Sequence, residues 1–307
     1  MITASKCRHA CVVPPSQISY APRHMSSAVT DVVVPTLAGV RGYVFDVDGT
    51  LALADKQLSG YQPLPGARDL LALLRQRDVP YIAFTNGSAK TPAQLSQALT
   101  HIGITIDAQQ MLTPVSVALD LFKRRGYKQV LVLGGEGVWK PLVDAGFDVV
   151  RAPERADDAD AVLIGWYPGF VLADLDAACR AVWAGAALYT VSKAAYLASR
   201  EGRTLGVSGA LAAAVRSVTG KNAVVVGKPS AQALVCASAR LGGIKPAHMA
   251  IVGDDISLEN AMALRGGAFS IGVHTGLSSA ADFANLPLHH RPHLSLTGVD
   301  QLLELLK

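Results

Sequence analysis

Residues 43–51 constrain the fold of this chain most strongly. An apolar run ends there at Asp46 and Asp48, and Gly49 and Thr50 follow at once. Apolar runs of this kind form strands buried in parallel sheets, and open α/β sheets bind ligands beyond the carboxyl ends of their strands. A turn beginning at Asp46 can bring both carboxylates to one site. The alternative is an ordinary strand–turn junction, where Asp and Gly are common.

The rest of the chain alternates between strand-like and helix-like segments from about residue 32 onward, which is typical of βαβ units around a parallel sheet. Three more strand-like segments end in polar residues: Thr85-Asn86, Lys228 and Asp254-Asp255. Each follows an apolar strand, and the strand before Lys228 spans residues 223–226. If one sheet holds all four strands, these groups meet at a single edge.

This set of groups suits the binding of a phosphoryl group, which carries about two negative charges and three acceptor oxygens. A carboxylate can approach such a group only if cations stand beside it. Lys228 supplies one cation, and a divalent ion between Asp46 and Asp254 would supply another. Ligands that are all oxygen favour Mg²⁺. Thr85 and Asn86 could donate hydrogen bonds to the phosphate oxygens.

The two aspartates of the first segment fit two separate chemical roles. Asp46 would attack phosphorus and form an aspartyl phosphate. Asp48 would protonate the leaving alkoxide and then deprotonate the water that hydrolyses the intermediate. Two carboxyl groups are needed because one cannot be nucleophile and proton shuttle together.

Residues 46–50, Asp-Val-Asp-Gly-Thr, resemble the first motif of the haloacid dehalogenase (HAD) superfamily phosphatases. Thr85-Asn86, Lys228 and residues 253–255 resemble the second, third and fourth motifs in order and spacing. The insertion between the second and third motifs resembles the cap of the NagD-like, nitrophenylphosphatase-like branch, subfamily IIA.

This resemblance implies an α/β fold in which a Rossmann-like parallel sheet forms the core (the HAD fold) and an α/β cap domain is inserted into it. We predict a core domain of residues 39–108 and 223–307 and a cap domain of residues 109–222. We predict a disordered extension for residues 1–38, although the absence of acidic residues before Asp31 also fits an organellar targeting peptide.

The resemblance also implies an activity: Mg²⁺-dependent hydrolysis of a small phosphorylated metabolite through an aspartyl phosphate on Asp46. Mg²⁺ would be held by the carboxylates of Asp46 and Asp254 and by the main-chain carbonyl of Asp48. Asp255 and Glu259 would surround that site. Glu259 stands where the branch usually has Asp, and the longer side chain could still orient metal-bound water.

The cap departs from the pattern of the branch at residues 190–193, where the sequence reads Thr-Val-Ser-Lys. Nearby Lys193, Arg200 and Arg203 could recognise a second anionic group on the substrate, or form a solvated basic loop. Trp166 and Tyr167 could line the cleft between cap and core, or serve packing alone.

Two alternatives to hydrolysis use the same fold. A phosphotransferase or mutase would pass the aspartyl phosphate to a sugar hydroxyl, but the mutases of this superfamily carry their insertion after the first motif. The second alternative is a protein that binds a metabolite without catalysing a reaction, because a fold alone does not guarantee a function.

Composition excludes several other classes. The net charge of +4 comes without basic runs, so no nucleic-acid partner is expected, and no apolar segment reaches the ~20 residues that span a bilayer. Cys7, His9 and Cys11 lack the fourth ligand of a zinc site. We expect a cytoplasmic protein, with import through residues 1–30 left open, and a homodimer formed through the cap.

Overall fold

The computed structural model describes residues 35–55, 60–199 and 202–307, and at residues 197–199, 202 and 203 it describes the backbone alone. The predicted extension lies outside the described residues up to residue 34, as do Cys7, His9 and Cys11. At the end of the predicted extension, Leu37–Gly39 forms a 3₁₀ turn in which the Thr36 side chain accepts a hydrogen bond from the N–H of Gly39, so this part of the extension is ordered.

Strands and helices alternate along the described chain as the sequence predicts. The strands are β1 Gly42–Phe45, β2 Ala52–Ala54, β3 Tyr61–Pro63, β4 Tyr81–Phe84, β5 Met111–Leu112, β6 Gln129–Leu133, β7 Asp148–Arg151, β8 Ala161–Ile164, β9 Ala187–Thr190, β10 Tyr196–Ser199, β11 Gly202–Leu205, β12 Val224–Val225, β13 Met249–Gly253, β14 Phe269–Val273 and β15 Leu294–Leu296. The helices are α1 Ala67–Gln76, α2 Pro92–His101, α3 Pro114–Arg125, α4 Glu136–Asp144, α5 Leu172–Ala184, α6 Val207–Thr219, α7 Ala231–Arg240, α8 Ala261–Gly266, α9 Ala280–Ala284 and α10 Val299–Leu306. Ile256–Asn260 adds a π-helical turn before α8.

The larger sheet has six parallel strands in the order β15-β14-β13-β1-β4-β5. Every residue of β1, β4 and β13 is buried, as expected for strands covered on both faces. These three strands are neighbours, and the first, second and fourth motifs follow them directly. The α/β fold class with a parallel sheet is therefore confirmed, and three of the four motifs share one sheet edge.

The strand that precedes Lys228 does not belong to this sheet. Strand β12 pairs with β9 in a second, five-stranded parallel sheet of order β12-β9-β8-β6-β7. The expectation that one sheet collects all four motif strands is wrong at this point. The apolar pattern of residues 223–226 predicts a buried strand but does not indicate which sheet the strand joins. Its partner strand is decided by tertiary contacts.

Sheet membership also differs from the predicted domain boundaries. Strand β5 lies within residues 109–222, yet it pairs with β4 of the larger sheet. Strand β12 lies within residues 223–307, yet it pairs with β9. We therefore propose that the inserted domain runs from about residue 113 to about residue 226.

Helix starts follow the capping signals of the sequence. Thr91 caps α2 in a capping box with Gln94, and Pro92 occupies the first turn. Thr113 caps α3 in the same way without the reciprocal bond. These side chains satisfy N–H groups that have no partner within the helix.

Two hairpins were not predicted by the sequence. Strands β2 and β3 form one between β1 and α1, and β10 and β11 form the other between β9 and α6. Strands of three or four residues show too few alternations for their pattern to stand out. The two hairpins contact each other through β10 and β2. In the part of the chain that the structure describes, no helix is both long and apolar enough to cross a membrane.

Candidate active site

The turn after β1 brings the carboxyl groups of Asp46 and Asp48 to the same edge of the sheet. The N–H of Asp46 donates to the carbonyl of Val252 on the neighbouring strand β13 (2.9 Å), which extends the ladder by one residue. Oδ2 of Asp48 accepts a hydrogen bond from the Thr85 hydroxyl (3.1 Å). Oδ1 of Asp48 is buried and has no hydrogen-bond partner. A buried acceptor without a partner is costly, so this atom is suited to contact a ligand.

Gly49 is required at this turn for two reasons. Its φ is +96°, in the left-handed region that favours glycine. A Cβ at this position would also lie 2.6 Å from Oδ2 of Asp254. The Gly of the motif therefore allows the turn to close and lets the carboxylate of the fourth motif approach.

Lys228 places a buried ammonium group between the motifs. Its Nζ donates to Oδ1 of Asp46, to Oε1 of Glu259 (2.5 Å) and to the carbonyl of Phe84 (2.6 Å). The lysine side chain is 1% exposed. All three N–H groups of the ammonium have an acceptor, which is the condition for burying a lysine as a cation.

The side chain of Asn86 holds the main chain of Lys228 at the edge of the larger sheet. Oδ1 of Asn86 accepts from the N–H of Lys228 (2.9 Å), and Nδ2 donates to the carbonyl of Lys228 (3.0 Å). Asn86 follows β4, whereas Lys228 follows β12, so this amide joins the two sheets at the site.

Burial dominates the electrostatics of the acidic groups. It raises the pKa of Asp46 to about 6 against the opposing effect of Lys228, and the pKa of Asp48 to about 6 against the hydrogen bond from Thr85. Burial likewise raises the pKa of Glu259 to about 7. For Lys228 burial acts to lower the pKa, but the neighbouring carboxylates of Asp46 and Glu259 outweigh burial and raise it.

The carboxylate of Asp254 completes the acidic group and is held rigidly. Its Oδ2 accepts from the N–H of Leu277 (2.6 Å), and a Cβ on Gly276 would lie 1.9 Å from the same atom. Burial, followed by repulsion from Asp46, raises its pKa well above the usual value. Asp46 and Glu259 thus share the ammonium of Lys228, and a divalent cation would offset the repulsion among the acids.

These residues fit Mg²⁺ in the form that the sequence predicts. Among the described residues, no three His, Cys, Asp or Glu side chains are arranged to hold a metal ion. Mg²⁺ needs no such group, because it usually takes one or two carboxylates and keeps several waters. Asp46 and Asp254 would supply the carboxylates and Asp48 a main-chain carbonyl.

The two residues predicted around the metal have definite partners. Asp255 accepts from both the N–H and the hydroxyl of Ser257 (2.6 Å each), so its side chain caps the following helical turn. Glu259 pairs with Lys228 through one oxygen and accepts from the N–H of Asp255 (3.2 Å) through the other. A metal-related role for either residue stays a prediction.

The predicted cap residues are only partly placed. Lys193 is exposed and does not line the cleft above the motifs. Arg200 lies outside the described residues, and Arg203 stands on β11 with its backbone alone described. Trp166 lines the cleft, whereas Tyr167 packs against the apolar core of the inserted domain.

The cleft also contains residues that the sequence did not single out. Its cavity volume, counted as the room for water-sized molecules, is about 90 Å³. Tyr61, Ser88, Lys90 and Tyr196 line it beside the motif residues. Two of these residues, Ser88 and Lys90, follow the second motif closely, a position that could have indicated them. The two tyrosines lie on the unpredicted hairpins and carried no such signal.

Comparison with family models gives two matches on this chain. The model of haloacid dehalogenase-like hydrolases matches residues 43–148, and a second HAD-hydrolase-like model matches residues 225–304. The two matches contain all four motifs.

Curated relatives with similar sequences include chronophin and an acid sugar phosphatase. Human chronophin is 30% identical over 255 residues, which cover 79% of this chain and 83% of chronophin. The acid sugar phosphatase of Staphylococcus aureus is 27% identical over 246 residues, covering 80% of this chain and 90% of the relative.

Solved structures agree with these relatives. The glycerol phosphate phosphatase of Mycobacterium tuberculosis, solved in complex with magnesium, matches with a TM-score of 0.74 and 26% identity over 86% of this chain and 76% of that one. NagD from Escherichia coli matches with a TM-score of 0.75 and 23% identity, covering 85% of this chain and 98% of NagD. This match shows the shared fold.

Proposed function

We propose that this chain, which belongs to the haloacid dehalogenase-like hydrolases and to their NagD-like branch, is a phosphatase that hydrolyses a small phosphorylated metabolite with Mg²⁺ and an aspartyl phosphate. One observation carries the proposal. The carboxyl groups of Asp46 and Asp48 meet the Lys228 ammonium and the Thr85 hydroxyl at one edge of the sheet. This set provides two contacting pairs, a nucleophile with a cation and a proton carrier with a hydroxyl.

Asp46 acts as the nucleophile. The ion pair with Lys228 fixes one carboxylate oxygen, so the side chain is oriented before the substrate arrives. The oxygen that attacks phosphorus forms a P–O bond while the bond to the leaving alkoxide breaks. Lys228 stays close to the phosphoryl oxygens and offsets the negative charge that the substrate brings.

Asp48 carries the proton in both steps. Its pKa of about 6 lies near neutral pH, where a carboxyl group can both donate and accept a proton. The unpartnered Oδ1 would donate to the leaving alkoxide and later take a proton from the water that cleaves the aspartyl phosphate. The hydrogen bond from Thr85 to Oδ2 holds the carboxyl group in place for this exchange.

Mg²⁺ would be held by the carboxylates of Asp46 and Asp254 and the carbonyl of Asp48. When bound, it supplies positive charge against the phosphoryl oxygens. The magnesium in the structure of the glycerol phosphate phosphatase supports this choice of metal.

The proposal is tested by substituting the nucleophile. Asp46→Asn should lower the release of phosphate from p-nitrophenyl phosphate in the presence of Mg²⁺ by at least about 10³-fold, because the carboxamide is a poor nucleophile. Asp144→Asn, a surface substitution in the Lys140 ion pair, is the matched control and should keep full turnover. Unchanged turnover in Asp46→Asn would overturn the assignment of the nucleophile. Phosphate release without an added sugar acceptor separates a hydrolase from a mutase.

A further inference from the structure

The five-stranded sheet has a crevice of its own at the ends of β6 and β8. From β6 the chain continues through α4 to β7 on one side, and from β8 it continues through α5 to β9 on the other side. Val132 of β6 shares an apolar cluster with α4 and Leu131 shares one with α5, so these helices cover opposite faces. Open α/β sheets bind ligands beyond the carboxyl ends of their strands at such a reversal of strand order. The inserted domain therefore has a place for a ligand beyond Leu133 and Ile164.

This crevice holds a residue of the chain itself. Oγ of Ser88, in the loop after β4, accepts a hydrogen bond from the N–H of Trp166 beyond β8 (2.9 Å). The main-chain carbonyl of Ser88 packs against the first turn of α4 beyond β6, where a Cβ on Gly137 would lie 2.5 Å from the oxygen. A Cβ on Gly165 would lie 3.2 Å from Oγ of Ser88. Ser88 is 3% exposed, so it is enclosed at this contact.

Trp166 is held by its own sheet on the other side. Its carbonyl accepts from the N–H of Gly135 beyond β6 (2.9 Å), and the N–H of Gly165 donates to the carbonyl of Leu133 (2.8 Å). These bonds extend the pairing of β6 and β8 past the ends of the strands, and they leave the N–H of Trp166 for the loop. The inserted domain thus offers Ser88 a fixed main-chain donor, which loses little conformational entropy when it is bound.

The same loop holds the proposed proton carrier. The N–H of Gly87 donates to Oγ1 of Thr85 (2.8 Å), and the hydroxyl of Thr85 donates to Oδ2 of Asp48 (3.1 Å). The bond from Gly87 occupies an acceptor site of the hydroxyl, whose hydrogen is then directed to Asp48. Because Ser88 follows Gly87 directly, the docking of Ser88 against the inserted domain fixes the N–H that orients this hydroxyl.

We propose that Ser88 is a positioning residue, through which the docked inserted domain holds Thr85 and Asp48 in their reactive arrangement. Its role rests on the proposed phosphatase function of the site. The loop after β4 occupies the crevice of the inserted domain as a ligand that belongs to the same chain. Ser88 also lines the cleft, so a direct contact with the substrate is the alternative.

Steady-state kinetics with p-nitrophenyl phosphate and Mg²⁺ separate the two roles. Ser88→Ala removes the acceptor, so the loop loses one buried hydrogen bond, and kcat should fall about fivefold to tenfold while KM stays nearly unchanged. Thr85→Val removes the hydroxyl that holds Asp48. In that background Ser88→Ala should cause little further loss of kcat, because its effect passes through Thr85.

Hydrogen exchange at the main-chain amide of Trp166, measured by NMR, tests the contact without any turnover. Ser88→Ala should speed this exchange at least about fivefold, because the N–H then lacks its acceptor. Ser238→Ala is the matched control, since Oγ of Ser238 donates to the carbonyl of Ile244 (2.7 Å) outside the cleft. This variant also loses one half-buried hydrogen bond, and it should leave kcat and the exchange at Trp166 unchanged.

Several results would overturn this role of Ser88. An unchanged kcat in Ser88→Ala would do so, as would a raised KM at unchanged kcat, which would make Ser88 a contact of the substrate. An equal loss of kcat in the Thr85→Val background, or unchanged exchange at Trp166, would break the proposed connection. Failure of the proposed function is distinct, because the unsubstituted protein would then release no phosphate, whereas Ser88→Ala would still speed the exchange at Trp166.

Discussion

The side-chain amide of Asn86 exchanges two hydrogen bonds with the main chain of Lys228, at 2.9 and 3.0 Å. Asn86 stands at the end of a strand of the larger sheet, and Lys228 follows an edge strand of the other sheet. The amide thus fixes the position from which the lysine side chain extends to Asp46. The role of Asn86 as a ligand of the phosphate stays a prediction, and its observed contacts add a second role, that of positioning the lysine.

Substitution of Asn86 should act through Lys228. Asn86→Ala removes two hydrogen bonds at about 1 kcal/mol each, so we expect kcat to fall about tenfold to thirtyfold. Because the effect passes through the lysine, the double variant Asn86→Ala/Lys228→Ala should be no slower than Lys228→Ala alone. Asn285→Ala, at an exposed position, is the control. Additive losses in the double variant would show that Asn86 acts independently.

Removing one anion from the buried cation should destabilise the fold. Glu259→Ala leaves the Lys228 ammonium with one carboxylate and opens a void, so the free energy of unfolding should fall by about 3 kcal/mol. Glu304→Ala breaks the exposed pair with Lys307 and should cost at most about 1 kcal/mol. Urea unfolding of both variants measures the difference. Equal losses would contradict the structural role of Glu259.

The close packing of Gly276 against Asp254 predicts an effect on metal binding. In Gly276→Ala the new Cβ would overlap Oδ2 of Asp254, which must then move. Displacement of a ligand in this way typically weakens metal affinity about 10- to 100-fold. Gly169→Ala, where a Cβ meets nothing within 4 Å, is the control. Calorimetric titration with Mg²⁺ checks the affinity directly, and an unchanged value would exclude Asp254 as a ligand.

The contact between α4 and the loop after β4 depends on Gly137. A Cβ there would lie 2.5 Å from the carbonyl oxygen of Ser88 and 2.6 Å from the N–H nitrogen of Lys90, which are main-chain atoms and cannot turn away. Helix propensity alone would favour Ala by about 1 kcal/mol. We expect overlap to outweigh this and Gly137→Ala to lower the free energy of unfolding by about 1–3 kcal/mol.

Gly135 provides the matched comparison two residues earlier. A Cβ there would be 3.6 Å from the carbonyl oxygen of Trp166, an ordinary contact distance. Gly135→Ala should therefore change stability by less than about 0.5 kcal/mol. If Gly137→Ala proved as stable as Gly135→Ala, α4 and the loop after β4 could not be in close contact at this point.

The strand ends and helix starts could be predicted because their signals are local. Asp46 and Asp48 follow a fully buried strand, and the Thr91 box consists of residues three apart. The hairpins carrying Tyr61 and Tyr196 were missed, because short strands leave little periodicity in the sequence. The predicted contribution of Lys193 to the cleft likewise depended on how a loop is placed, and this residue lies outside the cleft.

The sequence by itself determined the acidic pair at the end of a buried strand and the glycine after it, whose φ is +96°. These local features are the basis of the proposed nucleophile and proton carrier. Only the tertiary structure decided which sheet delivers Lys228, what Asn86 holds, and which side chains form the wall of the cleft. Those features depend on contacts between distant residues: Lys228 lies 142 positions from Asn86 and 182 from Asp46. The strength of a local pattern says nothing about its distant partner.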